Sequence, residues 1–238
     1  GVLTRAGHTE ATIDLVRLAG LPMLSGILVE IVNDDGTMKR GEQLILFARE
    51  HGLKVGTIAD LIRHRLQTEK TVERVLERDV DTEFGPFRLH AYRDRLSPTP
   101  HFALVRGRVD DGEPVVARVH VRDTLSDVLH LQRGERAITV TAALRHIAAL
   151  GRGVVVVIAD SNEASGALDR LAQTAPAVRE EAQDWRRHGA GAQILADLGV
   201  RRLRVLGTPR RFSGLAGFGL EGAGVASILE ISARAMCR

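Results

Sequence analysis

Residues 139–160, TVTAALRHIAALGRGVVVVIAD, decide how the larger part of the chain is built. The first thirteen carry apolar side chains at helical spacing and end at Gly151, the residue type best able to stop a helix. The run from Val154 is β-branched and has no polar alternation, so it is expected to be a strand buried on both faces. A helix leading directly into such a strand is a step of an α/β fold.

Upstream lie TEFGPFRLHAYRD (82–94), HFALVRGRVDDGE (101–113) and PVVARVHVRD (114–123), three strand-like runs separated by turn residues. DDGE (110–113) is the clearest hairpin signal, and a local antiparallel sheet is expected. Downstream, SGALDRLAQTA (165–175) and GAQILADLG (191–199) read as helices, the second followed by a strand in RRLRVLG (201–207). Nearer the start, GILVEIV (26–32) reads as a buried strand ended by the turn NDDGT (33–37). GEQLILFAREHG (41–52) reads as a helix with Leu44, Ile45, Phe47 and Ala48 on one stripe and Gly52 as its stop. LKVGTI (53–58) then reads as a second short strand and residues 59–79 as one or two helices. The texture changes between residues 70 and 80, which divides the chain into 1–70 and 71–238. The first part is small for an independent domain.

The 238 residues, 44% hydrophobic and 26% charged with 24 glycines, describe a globular chain with a proper core. A net charge of +3 argues against a surface that wraps nucleic acid. The arginines of RRLR (201–204) and PRRF (209–212) either meet phosphates or form a solvated face. Cys237 is the single cysteine, so no disulfide framework or multi-cysteine zinc site can be built within the chain. No apolar run approaches the roughly 18 to 20 residues of a membrane span and no signal-peptide pattern opens the chain, so a cytoplasmic setting is expected. GFGLEG (217–222) matches G-x-G-x-x-G but lacks the flanking strand and following chain of a dinucleotide-binding unit. The first residue is Gly1, which fits either a processed start or a piece of a longer protein.

Residues 5–15, RAGHTEATIDL, gather a guanidinium, an imidazole and a hydroxyl. Arg5 offers forked donors to a phosphate, Thr9 another, and neutral His8 can ligate a divalent cation, while Gly7 permits close backbone approach. Thr9 is also a candidate cap for a helix starting near Glu10, with Ile13, Leu15, Leu18 and Ala19 packing behind it. The alternative is that Thr9 is only a cap and His8 a surface residue.

RAGHTEATIDLVRLAG, with VEIVNDDGTMKRGEQL and GLKVGTIADLIRHR after it, closely resembles the C-terminal third of 3,4-dihydroxy-2-butanone 4-phosphate synthase. That enzyme of riboflavin biosynthesis converts ribulose 5-phosphate to a four-carbon phosphate and formate. The resemblance covers residues 1 to about 66. It implies that Arg5, Ala6, Gly7, His8 and Thr9 contact the substrate, with Arg5 and Thr9 placed for phosphate. It further implies that His8 is a ligand of Mg (or Mn) and that Glu30 is the carboxylate that handles protons during enolisation. The loop between Gly20 and Glu30 is one residue longer than the family's usual spacing. The family's acidic loop, with its second metal-ligating carboxylate, lies N-terminal to this motif. The expectation is therefore that the chain is the C-terminal portion of a longer protein and incomplete for catalysis.

TEFGPFRLHAYRD, HFALVRG, PVVARVHV and HGAGAQILADLGVRRLRVL resemble GTP cyclohydrolase II, a second enzyme of the same pathway, in the order known from bifunctional fusions. That family holds a catalytic zinc on three cysteines, the first directly after an R-V-H-S-E segment. Here the segment is RVHVR, from Arg118 to Arg122, and the three cysteine positions fall on Asp123, Gly134 and Arg136. Three protein ligands cannot be assembled from these, and neither His120 nor His130 has the spacing of a replacement, so zinc is expected to be absent. The expected E-G-R reads ADSNEASG (159–166) and the T-N-N-P loop has become LGTP (206–209). Asp184 and Arg186 match the family's general base and nucleophilic arginine, and either persist as a structural ion pair or mark a remaining site with Arg118.

The resemblance thus implies an α/β (α+β) chain: the end of a synthase domain followed by a degenerate cyclohydrolase-like domain. The function implied is that of the synthase in the full-length protein, as a homodimeric enzyme acting on small-molecule phosphates such as ribulose 5-phosphate, without nucleic acid or membrane. Two alternatives stand beside it: a catalytically silent module that binds a guanine nucleotide or drives oligomerisation, and an active GTP cyclohydrolase II.

Overall fold

The computed structural model describes residues 1–131, 138–159, 163, 171–172, 181–207 and 215–226, the side chains of 97–98 and 181–187 excepted. The chain divides into two compact units, Gly1–Thr68 and Glu69–Arg238.

The first unit contains three helices, α1 (His8–Leu18), α2 (Glu42–Glu50) and α3 (Ile58–Thr68). Its core is small and consists of Val2, Leu3, Ala48, Ile62 and Leu66. Asp14 of α1 is also buried. It accepts the Val2 N–H at 2.6 Å and faces Arg65 Nη1 of α3 at 2.8 Å, which fastens the chain's first residues and α3 to one carboxylate. The expected strands at 26–32 and 53–58 are absent. The only bridge in this unit joins Val32 to Met38. Within residues 1–68 no strand lies alongside 26–32 to complete its backbone hydrogen bonds, and Ile27 is 91% exposed. The stripe expected behind Thr9 is likewise open, with Leu15 58% and Leu18 44% exposed.

The second unit is built on a seven-stranded sheet in the order β1-β2-β3-β5-β4-β6-β7. Its strands are β1 (Val72–Thr82), β2 (Gly85–Asp94), β3 (Ser97–Arg106), β4 (Val115–Val121), β5 (Gly153–Ile158), β6 (Arg202–Leu206) and β7 (Glu221–Ala226). From β1 to β5 the neighbours are antiparallel, and from β5 through β4 and β6 to β7 they are parallel. The expected DDGE hairpin is therefore not formed. β5 lies between β3 and β4, and residues 107–114 connect two strands that do not pair. Residues 59–79 are also divided differently from expectation: α3 ends at Thr68 and β1 begins at Val72.

Helices cover both faces. The short α4 is Thr124–Asp127, α5 is Val140–Leu150 and α6 is Glu181–Asp197. Val154, Val156 and Ile158 of β5 pack with Ala190, Ala192, Ile194 and Leu195 of α6, whereas Val155 packs with Ala143 and Ile147 of α5. This two-sided burial is why the valine run shows no alternation. α5 begins at a Thr139 side chain that accepts the Ala142 N–H, and Gly151 ends it in the left-handed region at φ 70°. α6 approaches β4 closely at Gly191, where a Cβ would lie 2.7 Å from Val119 Cγ1. The helix expected at 165–175 and the arginines of 209–212 lie outside the described residues. GFGLEG is a 3-10 turn (Leu215–Phe218) running into β7, so a strand follows directly where a dinucleotide unit needs a helix.

Candidate functional site

α1 begins at His8, with Gly7 in extended conformation as its N-cap and no side-chain cap. Thr9 is thus inside the helix rather than its cap. Arg5 and Glu10 explain the displaced start: Arg5 Nη1 donates to Glu10 Oε1 at 2.9 Å, drawing the entering chain across the first turn. The hydrogen bond from Arg5 holds the Glu10 carboxyl below its usual range. A Cβ at Gly7 would meet the ends of the Glu10 and Arg5 side chains, so a larger residue there would displace that ion pair. The N–H groups of the uncapped first turn, together with the exposed Arg5, Ala6 and Thr9, form an open polar end of the kind that takes an anion.

Segment 21–31, without helix or strand, carries Glu30 back to this end of α1. His8 Nε2 lies 3.4 Å from Glu30 Oε1, and the two side chains are 64% and 56% exposed. The structure therefore brings together His8 and Glu30, which are far apart in sequence, next to Arg5 and Thr9 in the same turn. A nitrogen and a carboxylate facing each other suit a hard divalent cation as two of its ligands. Among the described residues no group of three or more His, Cys, Asp or Glu converges, so any remaining ligands would be water, substrate or other groups.

The second unit places Arg118 and His120 on the α5 side of β4. Arg118 is half-buried, and its Nη1 and Nη2 donate to the carbonyls of Leu206 (3.3 Å) and Ile138 (3.0 Å). Burial pulls its guanidinium below the ordinary value. Arg118 thus ties the end of β6 to the entry of α5. His120 Nε2 lies 2.9 Å from Asp127 Oδ2, so it already has a carboxylate partner. Asp123, at the first cysteine position, caps α4 by accepting the Leu125 N–H. These residues do not fit a three-ligand zinc: the one carboxylate at the family's ligand positions is engaged in a helix cap, and Gly134 and Arg136 bring no metal donor. Gly134 and Arg136 themselves lie outside the described residues, as do the side chains of Asp184 and Arg186, whose backbone belongs to the first half of α6.

Sequence reasoning missed Glu163, which accepts from Arg122 and from Thr124, and Asp127. Glu163 stands in ADSNEASG, where the expected E-G-R lacks its arginine. Asp127 follows Asp123 by one helical turn, a spacing that could have revealed it.

The GTP cyclohydrolase II family model matches residues 72–226, and that of 3,4-dihydroxy-2-butanone 4-phosphate synthase matches residues 1–64. A protein of Pseudomonas syringae pv. tomato named 3,4-dihydroxy-2-butanone 4-phosphate synthase is 46% identical over 226 residues, which are 93% of this chain and 61% of that one. The riboflavin biosynthesis protein RibBA of Aquifex aeolicus is 42% identical over 236 residues, covering 93% of this chain and 57% of its own. A crystal structure of RibBX, a two-domain 3,4-dihydroxy-2-butanone 4-phosphate synthase from A. baumannii, superposes with a TM-score of 0.73 at 41% identity, covering 95% of this chain and 61% of that one. The chain thus spans less than two thirds of the length of these relatives. It belongs to the GTP cyclohydrolase II family through residues 72–226, joined to a 3,4-dihydroxy-2-butanone 4-phosphate synthase segment in residues 1–64.

Proposed function

We propose that this chain is part of a 3,4-dihydroxy-2-butanone 4-phosphate synthase of riboflavin biosynthesis, acting on ribulose 5-phosphate, and that its cyclohydrolase-like unit does not open GTP. The observation that carries the reading is the approach of His8 to Glu30 beside the polar first turn of α1. Arg5, Thr9 and the free N–H groups of that turn bind the substrate phosphate. Glu30 takes the proton from the carbon next to the substrate ketone and returns it at the following enolisation steps, a role suited to an exposed carboxylate that water and substrate can reach. His8, held by the helix with Nε2 3.4 Å from Glu30 Oε1, offers that nitrogen to Mg or Mn. When bound, such a cation supplies charge stabilisation to the enediol oxygens.

The chemistry of the second unit supports the other half of the proposal. Arg118 is occupied by two carbonyls and Asp123 by a helix cap, and none of the three positions Asp123, Gly134 and Arg136 carries a thiol. The apolar side chains of the first unit that face solvent, Met23, Ile27 and Val29 at 73%, 91% and 77%, support an assembled state, which we place as a cytoplasmic homodimer of the longer protein. No described helix is long and apolar enough to cross a membrane.

Formate release from ribulose 5-phosphate by the longer protein tests the reading. His8→Ala and Glu30→Gln are each expected to lower kcat at least about 100-fold, the scale of a lost acid–base or metal-binding group. Full activity in either variant, or turnover of GTP by the parent, would sink it.

A further inference from the structure

The turn that leaves β4 is held by carboxylates at the place where the cyclohydrolase family carries its first zinc ligand. The Arg122 N–H donates to the Ile158 carbonyl at 2.8 Å, so β4 and β5 end side by side. Beyond that point Glu163, only 6% exposed, accepts from Arg122 Nε at 2.8 Å and from both the N–H and the hydroxyl of Thr124 at 2.5 Å. Burial alone would raise the Glu163 carboxyl, but the hydrogen bonds from Thr124 and Arg122 outweigh it and hold it below its usual range. Asp127 accepts the Asp123 N–H at 2.9 Å while facing His120 Nε2 at the same distance. Asp123 closes the set by capping α4.

These bonds connect four pieces of backbone: the last residues of β4, the turn 122–124, the helix α4 and Glu163 beyond β5. Three of the donors to Glu163 and Asp127 are backbone N–H or hydroxyl groups of the turn, and a fourth is a guanidinium. A divalent cation at Glu163 would compete with Arg122 and Thr124 for its oxygens, and one at Asp123 would compete with the Leu125 N–H that it caps.

We propose that Glu163 and Asp127 form a metal-free clasp that takes over the structural part of a metal at this turn, tying β4–α4 to Glu163 beyond β5. The proposal rests on the resemblance that sets Asp123 at the family's first cysteine position. Its readouts are stability and exchange, so its failure is distinguishable from a failure of the synthase reading, which is read in formate.

The test uses the 238-residue chain: zinc content of the purified protein, thermal unfolding with and without chelator, and hydrogen exchange over residues 121–131. Zinc is expected to be substoichiometric and the chelator to leave Tm unchanged. Glu163→Gln is expected to lower Tm by about 4–8 °C, the scale of charge-assisted bonds lost in a domain of this size. Protection should then fall over residues 121–131 while the β1–β3 strands keep theirs. Thr124→Val, which removes only the hydroxyl bond, should act in the same direction at roughly half the size. If Glu163→Gln does not fold, Thr124→Val decides by the same two readouts. Stoichiometric zinc, a chelator-induced fall in Tm, or a folded variant with unchanged Tm and exchange would each overturn the clasp.

Discussion

Replacing Gly191 with alanine should destabilise this protein, against the ordinary direction of that change. In an unobstructed helix, Gly→Ala stabilises by about 1 kcal/mol because the glycine backbone loses more freedom on folding. At residue 191 the new Cβ would sit 2.7 Å from Val119 Cγ1 and 3.3 Å from Cγ2. Val119 is β-branched and has one comfortable rotamer, so it cannot swing aside without moving β4 or α6. Overpacking of this kind costs about 1–3 kcal/mol. Taking about 2 kcal/mol for the clash against about 1 kcal/mol for propensity leaves a net loss of about 1 kcal/mol, or a Tm fall of about 2–4 °C. Thermal and urea unfolding of Gly191→Ala, Val119→Ala and the double variant complete a cycle. The coupling energy should be about 2 kcal/mol, since Val119→Ala removes the obstruction and lets the propensity gain reappear. A rise in Tm for Gly191→Ala alone, or additive effects in the double variant, would refute the close packing of α6 on β4.

Asp14→Ala removes the acceptor shared by the Val2 N–H and Arg65 Nη1 and takes a buried carboxylate from beside a nearly buried guanidinium; a loss of about 3 kcal/mol is expected in the first unit, seen as faster proteolysis within residues 1–68. Asp197 feels burial that raises its carboxyl, but hydrogen bonds from Lys70, Arg74 and Tyr92 prevail and hold it below the usual range. Its folded affinity for protons is therefore below its unfolded one, so its contribution is full above the unfolded pKa of about 4 and disappears as pH falls through the folded value. Asp197→Asn should flatten that acid limb of a stability–pH curve, and an unchanged acid limb would contradict the ion cluster.

What the sequence made legible is local. The helix 139–151 and the strand after it were readable because their apolar residues face a core on regular periods and Gly151 marks the stop. β1 was not, because it is an edge strand. Most of it is exposed on both faces, with Glu73, Arg74, Glu77, Arg78 and Asp79 along it, so the alternation of a half-buried strand is replaced by charge and the run imitates a solvated helix. The DDGE signal failed for another reason. Local turn chemistry says nothing of β5, which arrives from some forty residues downstream to separate β3 from β4. GILVEIV shows the limit of apolar runs: composition favours a strand, but strand formation needs a neighbour to bond with. At the candidate site the residue types of RAGHTE suggested phosphate and cation chemistry, whereas the approach of Glu30 depends on a segment with no regular structure and could come only from the resemblance.

The insertion of β5 between β3 and β4 also sets a schedule for synthesis. β1, β2 and β3 can pair as soon as they emerge, each with its neighbour in sequence. β4 cannot: its partners are β5 and β6, the second of which ends at Leu206. During translation VVARVHV is therefore a ready but unpaired β-branched segment, the kind that aggregates. Arg118 and His120 interrupt it on one face, and in that interval they serve as gatekeepers before either has met its folded partners.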